Sequence, residues 1–223
     1  MHRLAVFARI PAPGRVKTRL SPAIPPALSA RLYLAMLADA LEGAMSADPG
    51  HVSVFWASAG DPPAGLSLPE GVAVRHQQGA DLGERLSSAF AELLAGPGDR
   101  AVVMGSDCPD LGPAVLGEAF AALGDRDLVL GPARDGGYYL IGLRRPAARL
   151  FEGVSWGTDQ VLAQTLERAE RLGLEVARLA ALDDIDSPED LVRFIARRCV
   201  SPPGPGARTE AALRDLGLLP ERR

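Results

Sequence analysis

Apolar and polar positions along this chain alternate in two rhythms, and the switching between them predicts its elements. Residues 4–9 form a short apolar run with a strand-like start. Between 25 and 45, Leu28, Leu32, Met36, Leu37 and Leu41 fall near a 3.6-residue period, which predicts a helix. Strands follow at 51–57 and 71–76, separated by a Pro/Gly-rich turn. A helix at 81–95 carries Leu82, Leu86, Phe90, Leu93 and Leu94 on one face. An apolar strand at 101–107 ends in an acid; a helix at 113–123 and strands at 127–132 and 136–143 come next. A helix at 158–172 and a strand at 174–179 precede Ser187-Pro188-Glu189-Asp190. That tetrapeptide opens a helix, with Ser as N-cap, Pro in the first turn and an acid three residues after the cap.

This alternation predicts a three-layer α/β/α fold, a mostly parallel sheet with helices on both faces. Ligands of such sheets bind beyond the carboxyl ends of the strands. The loop after the first strand and the 105–110 and 132–137 loops lie at such ends. Residues 1–200 read as one domain, 201–206 as a Pro/Gly linker and 207–223 as an amphipathic tail.

The 223 residues are 47% hydrophobic, enough for one sizeable α/β core. A net charge of −4 argues against a nucleic-acid partner, which calls for a basic surface. No apolar run approaches the ~20 residues that span a bilayer. The strand-like start does not resemble a signal peptide. Cys108 and Cys199 lie far apart with no metal-ligand spacing, so both are expected reduced in a cytoplasmic protein.

One residue changes the picture. Lys17 is the only lysine, against 23 arginines. It survives in the loop Arg9-Ile-Pro-Ala-Pro-Gly14-Arg15-Val-Lys17-Thr18-Arg19, directly after the first strand. An ammonium is not interchangeable with a guanidinium, and a Gly-containing loop there is a natural phosphate position. Arg9, Gly14, Arg15, Lys17 and Arg19 are therefore candidates to surround a di- or triphosphate. The P-loop pattern is absent, and so is the dinucleotide Gly-x-Gly-x-x-Gly.

Three further segments carry candidate chemistry. Gly105-Ser106-Asp107-Cys108-Pro109-Asp110 ends a strand, so Asp107 projects where a carboxylate holds a divalent cation, Mg²⁺ or Mn²⁺; capping the next turn is the alternative. In Arg134-Asp135-Gly136-Gly137, the glycines allow close approach to a ligand while Arg134 and Asp135 contact an acceptor; a tight Asp-Gly turn is the alternative. Asp186, before a helix, is a candidate second metal ligand or part of a solvated acidic loop. Two weaker candidates are the 77–85 segment, whose Gln78 and Gly83 suit a nucleobase pocket unless Asp81 simply caps a helix, and Trp156, which either covers the site or packs in the core.

Together FARIPAPGRVKTRL, GSDCPDL, ARDGGYYLIGL, GVSWGTD and DIDSPEDL, in that order, resemble the nucleotide-diphospho-sugar transferase superfamily, of GT-A-type fold. They closely resemble a bacterial family assigned to glycosyl transfer. They are more distantly similar to phospholactate guanylyltransferase and molybdenum-cofactor nucleotidyltransferases. The resemblance implies that Asp107 and Asp186 are the metal-binding acids and that Lys17 and Arg19 grip phosphate. It implies a metal-dependent transferase with a nucleotide-activated donor and a small acceptor. Sugar transfer ranks first on the family label. Nucleotidyl transfer with pyrophosphate release is the alternative, and a non-catalytic nucleotide-binding module is the third reading. Asp135 is the candidate to orient or deprotonate the acceptor.

Overall fold

The computed structural model describes residues 1–21, 23–57, 67–200 and 204–220. Part of the expected turn after the second strand, residues 201–203 of the expected linker and the last three residues of the tail lie outside these. Among the described residues the strands are β1 (His2–Ala8), β2 (Val52–Trp56), β3 (Ala73–His76), β4 (Arg100–Met104), β5 (Leu128–Pro132), β6 (Tyr138–Leu143) and β7 (Val176–Arg178). They form one sheet in the order β3-β2-β1-β4-β6-β5-β7. β1, β2, β3 and β4 are mutually parallel, as are β5 and β7. β6 runs antiparallel to both neighbours. The expected three-layer, mostly parallel α/β fold is what the chain forms.

The apolar runs are strands because both of their faces are covered: every residue of β2 and β5 is buried. On one face, α1 (Pro26–Ser46) and α3 (Pro113–Ala122) bury Leu37, Leu41, Leu116 and Phe120 against Leu4, Val54 and Val102. On the other, α2 (Leu82–Leu93) and the segment before α4 (Val161–Arg171) bury Leu86, Phe90 and Phe151 against Phe55, Val103 and Ile141. Each such large side chain contributes roughly 1.5–3 kcal/mol on full burial.

A third cluster joins Leu20, Leu32 and Met36 to Ile185, to Leu191 and Phe194 of α5 (Pro188–Val200), and to Leu213 of α6 (Ala207–Asp215). It ties the loop after β1 and the loop before α5 to the C-terminal helices. The tail helix α6 docks on α1, where Asp39 accepts hydrogen bonds from the N–H groups of Arg208 (2.9 Å) and Thr209 (2.8 Å). Among the described residues, no helix is long and apolar enough to cross a membrane.

Chain order sets the site. β1 leads outward to β2 and β3 on one side, and the chain returns to β4 on the other. The crevice beyond the ends of β1 and β4 is therefore a topological switch point.

Candidate active site

Lys17 stands at this switch point in a left-handed backbone conformation, φ 50° and ψ 38°, at the start of the 3-10 turn Thr18–Leu20. A non-glycine residue there stores of order 1–3 kcal/mol of strain. The loop is held from both ends. Buried Leu20 anchors one end in the third cluster. At the other, the Tyr33 hydroxyl accepts from Arg9 N–H at 2.8 Å and lies 3.0 Å from Ser106 Oγ.

The Lys17 side chain is only 3% exposed, and its ammonium meets two carboxylates. Nζ donates to Asp186 Oδ1 at 2.6 Å. It also forms an ion pair with Asp107 Oδ1 at 2.7 Å. Burial pulls the lysine pKa down, but Asp107 and Asp186 together outweigh it, so the ammonium is held more firmly than usual. The acid loops are also joined by backbone, Ile185 N–H donating to Asp107 O at 2.9 Å. Asp107 and Asp186 keep 44% and 40% of their side chains exposed, so they face the crevice from outside the lysine.

Around them lies a cleft of about 440 Å³ lined by Arg9, Lys17, Arg19, Tyr33, Gln77 and Arg85, with the two acids. Its four cationic side chains exceed its two carboxylates, as an anionic ligand requires. Two carboxylates converging on one ammonium show that the pair accommodates a cation between them. Oxygen donors of this kind suit Mg²⁺ or Mn²⁺. Among the described residues no group of three or more His, Cys, Asp or Glu side chains is arranged to hold a metal, so phosphate oxygens and water would complete such a site.

Of the residues nominated from sequence, Arg9, Lys17, Arg19, Asp107 and Asp186 meet in this cleft. Gly14 and Arg15 are exposed on the same loop but not in its lining. Gln77, not Gln78, lines the cleft, its Nε2 donating to Phe55 O at 2.9 Å. Gly83 is buried beneath Trp156, whose Nε1 would lie 2.8 Å from an added Cβ; both residues are packing positions. The alternative reading of Asp81 holds, since it caps α2 by accepting from Glu84 N–H at 2.8 Å.

The nominated acceptor group stands apart from the cleft lining. Asp135 accepts from Gly137 N–H at 2.9 Å, closing a turn. Gly136, with φ 91°, approaches the 154–160 loop so closely that a Cβ would lie 2.2 Å from Asp159 O. Arg134 pairs with Asp183 at 2.9 Å and lines a neighbouring cavity. Asp184, which the sequence did not single out, has its pKa raised to about 6 by burial and by Asp135 and Asp186. Tyr33 also went unread, since a helical aromatic is ordinary there; Gln77 and Arg85 are the two ends of the 77–85 segment nominated for a nucleobase pocket, in which Gln78 and Gly83 were singled out instead.

The fold and the motif order define a nucleotide-diphospho-sugar transferase-type protein, as the resemblance implied. A crystal structure of a Desulfovibrio desulfuricans G20 protein assigned by name to these transferases superposes with a TM-score of 0.85 at 32% identity, covering 96% of this chain and 94% of that one. The family described as "Uncharacterized protein conserved in bacteria (DUF2064)" matches residues 40–158, and the chain belongs to it. It is also 33% identical over 184 residues to a 2-phospho-L-lactate guanylyltransferase of Methanopyrus kandleri, covering 80% of this chain and 84% of the relative. It is 30% identical to a phosphoenolpyruvate guanylyltransferase of Nocardia farcinica, covering 97% and 92%. A manganese complex of Rv0371c from Mycobacterium tuberculosis H37Rv shares the fold, with TM-score 0.54 and 17% identity over 88% of this chain and 99% of that one.

Proposed function

We propose that this protein is a metal-dependent nucleotidyltransferase of the guanylyltransferase type. This reverses the order in which the family label ranks sugar and nucleotidyl transfer. The observation that carries it is the cationic loop after β1, whose Lys17 meets both acids in a basic cleft. A triphosphate needs such a loop, and the two relatives of 33% and 30% identity are named for guanylyl transfer.

In this reading the triphosphate lies along Arg9, Lys17, Arg19 and Arg85. An oxygen of a small phosphorylated acid attacks the α-phosphorus. The bond from that phosphorus to the α–β bridging oxygen breaks, and pyrophosphate leaves with the electron pair. Lys17 and Arg19 stabilise the charge that builds on the departing group. Asp107 and Asp186 would hold Mg²⁺ or Mn²⁺, which neutralises phosphate charge when bound; manganese in the Rv0371c fold neighbour supports that choice. Gln77, fixed through Phe55 O, would meet the base. Asp135 and Arg134 remain candidates for the acceptor side, beside Asp184. Residues 1–200 act as the transferase domain, with α6 as a docked appendage.

The test is pyrophosphate release from GTP with Mg²⁺ and either 2-phospho-L-lactate or phosphoenolpyruvate, beside a parallel assay of nucleoside diphosphate release from GDP-sugars. Acceptor-dependent pyrophosphate is expected. Diphosphate from a nucleotide-sugar, with no pyrophosphate from any triphosphate, would return the reaction to sugar transfer; binding without turnover in either assay would leave a nucleotide-binding module.

A further inference from the structure

The two acid loops are joined a second time, farther from the cleft. Asp110 lies three residues after Asp107, and Asp183 three residues before Asp186. Arg197, near the end of α5, donates to Asp110 Oδ2 and to Asp183 Oδ2, at 2.5 Å each. The loops therefore carry three rungs: Lys17 at the cleft, the Ile185–Asp107 backbone bond, and Arg197 behind.

The rungs differ in what nucleotide does to them. Lys17 lines the cleft, and under the reading above phosphate draws its ammonium off the acids. Arg197 lines a separate cavity of about 340 Å³ and has no place in the cleft lining. Its guanidinium sits 5.7 Å from the centre of the Phe194 ring. Its neighbour Arg198, with a side chain 5% exposed, takes the other oxygen of Asp110 and also bonds the Pro205 carbonyl, so Asp110 is fixed from two sides. Arg197 gives each carboxylate its own nitrogen, Nη1 to Asp183 and Nη2 to Asp110, where Lys17 reaches both of its acids through one. Without Lys17 between them, Asp107 and Asp186 repel each other and need another tie.

We infer that Arg197 is a positioning residue that keeps Asp107 and Asp186 at metal-binding spacing once Lys17 moves to nucleotide. The inference rests on the nucleotidyltransferase reading.

The test is Mn²⁺ binding to the full chain, followed by electron paramagnetic resonance with and without GTP, beside calorimetry of GTP without metal. Wild type should bind Mn²⁺ more tightly with GTP present. Arg197→Ala should lose about tenfold or more of that GTP-linked Mn²⁺ affinity, the range typical when a residue supporting a metal ligand is removed. Its metal-free GTP affinity should be unchanged, and Arg197→Lys should not restore the loss. If Arg197→Ala does not fold, Asp183→Ala, which removes one end of the bridge, should show the same selective loss. Wild-type Mn²⁺ affinity in the variants, or equal losses of GTP and Mn²⁺, would overturn the positioning role. Absence of GTP-linked Mn²⁺ binding in wild type is a separate result: it overturns the reading beneath, and the inference falls with it.

Discussion

Replacing Lys17 by Met should tighten Mn²⁺ binding to the nucleotide-free protein. The ammonium occupies the space between the acids, 2.6 Å from Asp186 Oδ1 and 2.7 Å from Asp107 Oδ1. A metal must first displace it. A hydrogen bond between charged partners is worth about 1.5–3 kcal/mol. The acids are 44% and 40% exposed, and solvent screens both contacts, so the two together are placed in that range and not at twice it. At 1.4 kcal/mol per decade, vacating the site costs about 10- to 100-fold in metal affinity. A second effect has the same sign. Both oxygens lie against one nitrogen, so they are no more than 5.3 Å apart. Their repulsion, about 1–3 kcal/mol for effective dielectric constants between 80 and 20, goes unrelieved in Lys17→Met and favours a cation further. The Arg197 bridge keeps the loops together meanwhile. The assay is Mn²⁺ titration of nucleotide-free wild type and Lys17→Met by paramagnetic resonance, with melting temperature as a folding control. Metal-free GTP affinity should fall in the same variant. Unchanged or weaker Mn²⁺ affinity in a variant of wild-type melting temperature would refute the displacement argument.

Two more outcomes follow from the packing. Gly136→Ala places a Cβ 2.2 Å from Asp159 O on a backbone of φ 91°, so stability in urea should fall by about 2–5 kcal/mol from strain and overpacking combined. The Cys108 thiol is pushed up to about 12, first by burial and then by the Asp110 charge, so native protein at pH 8 should take up iodoacetamide at exposed Cys199 alone, and at both thiols in denaturant. Stability should also decline as pH rises from the ordinary thiol range towards 12, because the unfolded chain releases a proton that the folded chain retains. Rapid native labelling of Cys108 would contradict its burial.

The elements were legible because each buries a continuous apolar face, and burial writes its period into the sequence. The direction of β6 was not. A strand covered on both faces has the same apolar run whether it runs parallel or antiparallel, and Tyr138–Leu143 carries no direction mark. Lys17 was legible by composition and Asp107 by its place at a strand end. The meeting of Asp107 with Asp186 came from strand-end logic and motif order, since their separation along the chain has no period to read. Gln78 was nominated where Gln77 lines the cleft, because neighbouring residues of an extended segment point to opposite sides. Asp135 closes a turn through Gly137 N–H, and the sequence could not separate that role from a ligand loop, because both ask for the same residues. Arg197 was invisible, since arginines in the last turn of a helix are what the helix dipole favours anyway.

The solitary lysine has a practical consequence. Acylating reagents that attack amines ignore guanidinium groups, so this chain offers them one ε-amine, and that amine is shielded between two carboxylates. A modification on the peptide containing Lys17 has no background from other side-chain amines. Its rate, read by mass spectrometry, is a footprint of one ion pair: slow while the acids hold the ammonium, changed whenever a ligand takes it.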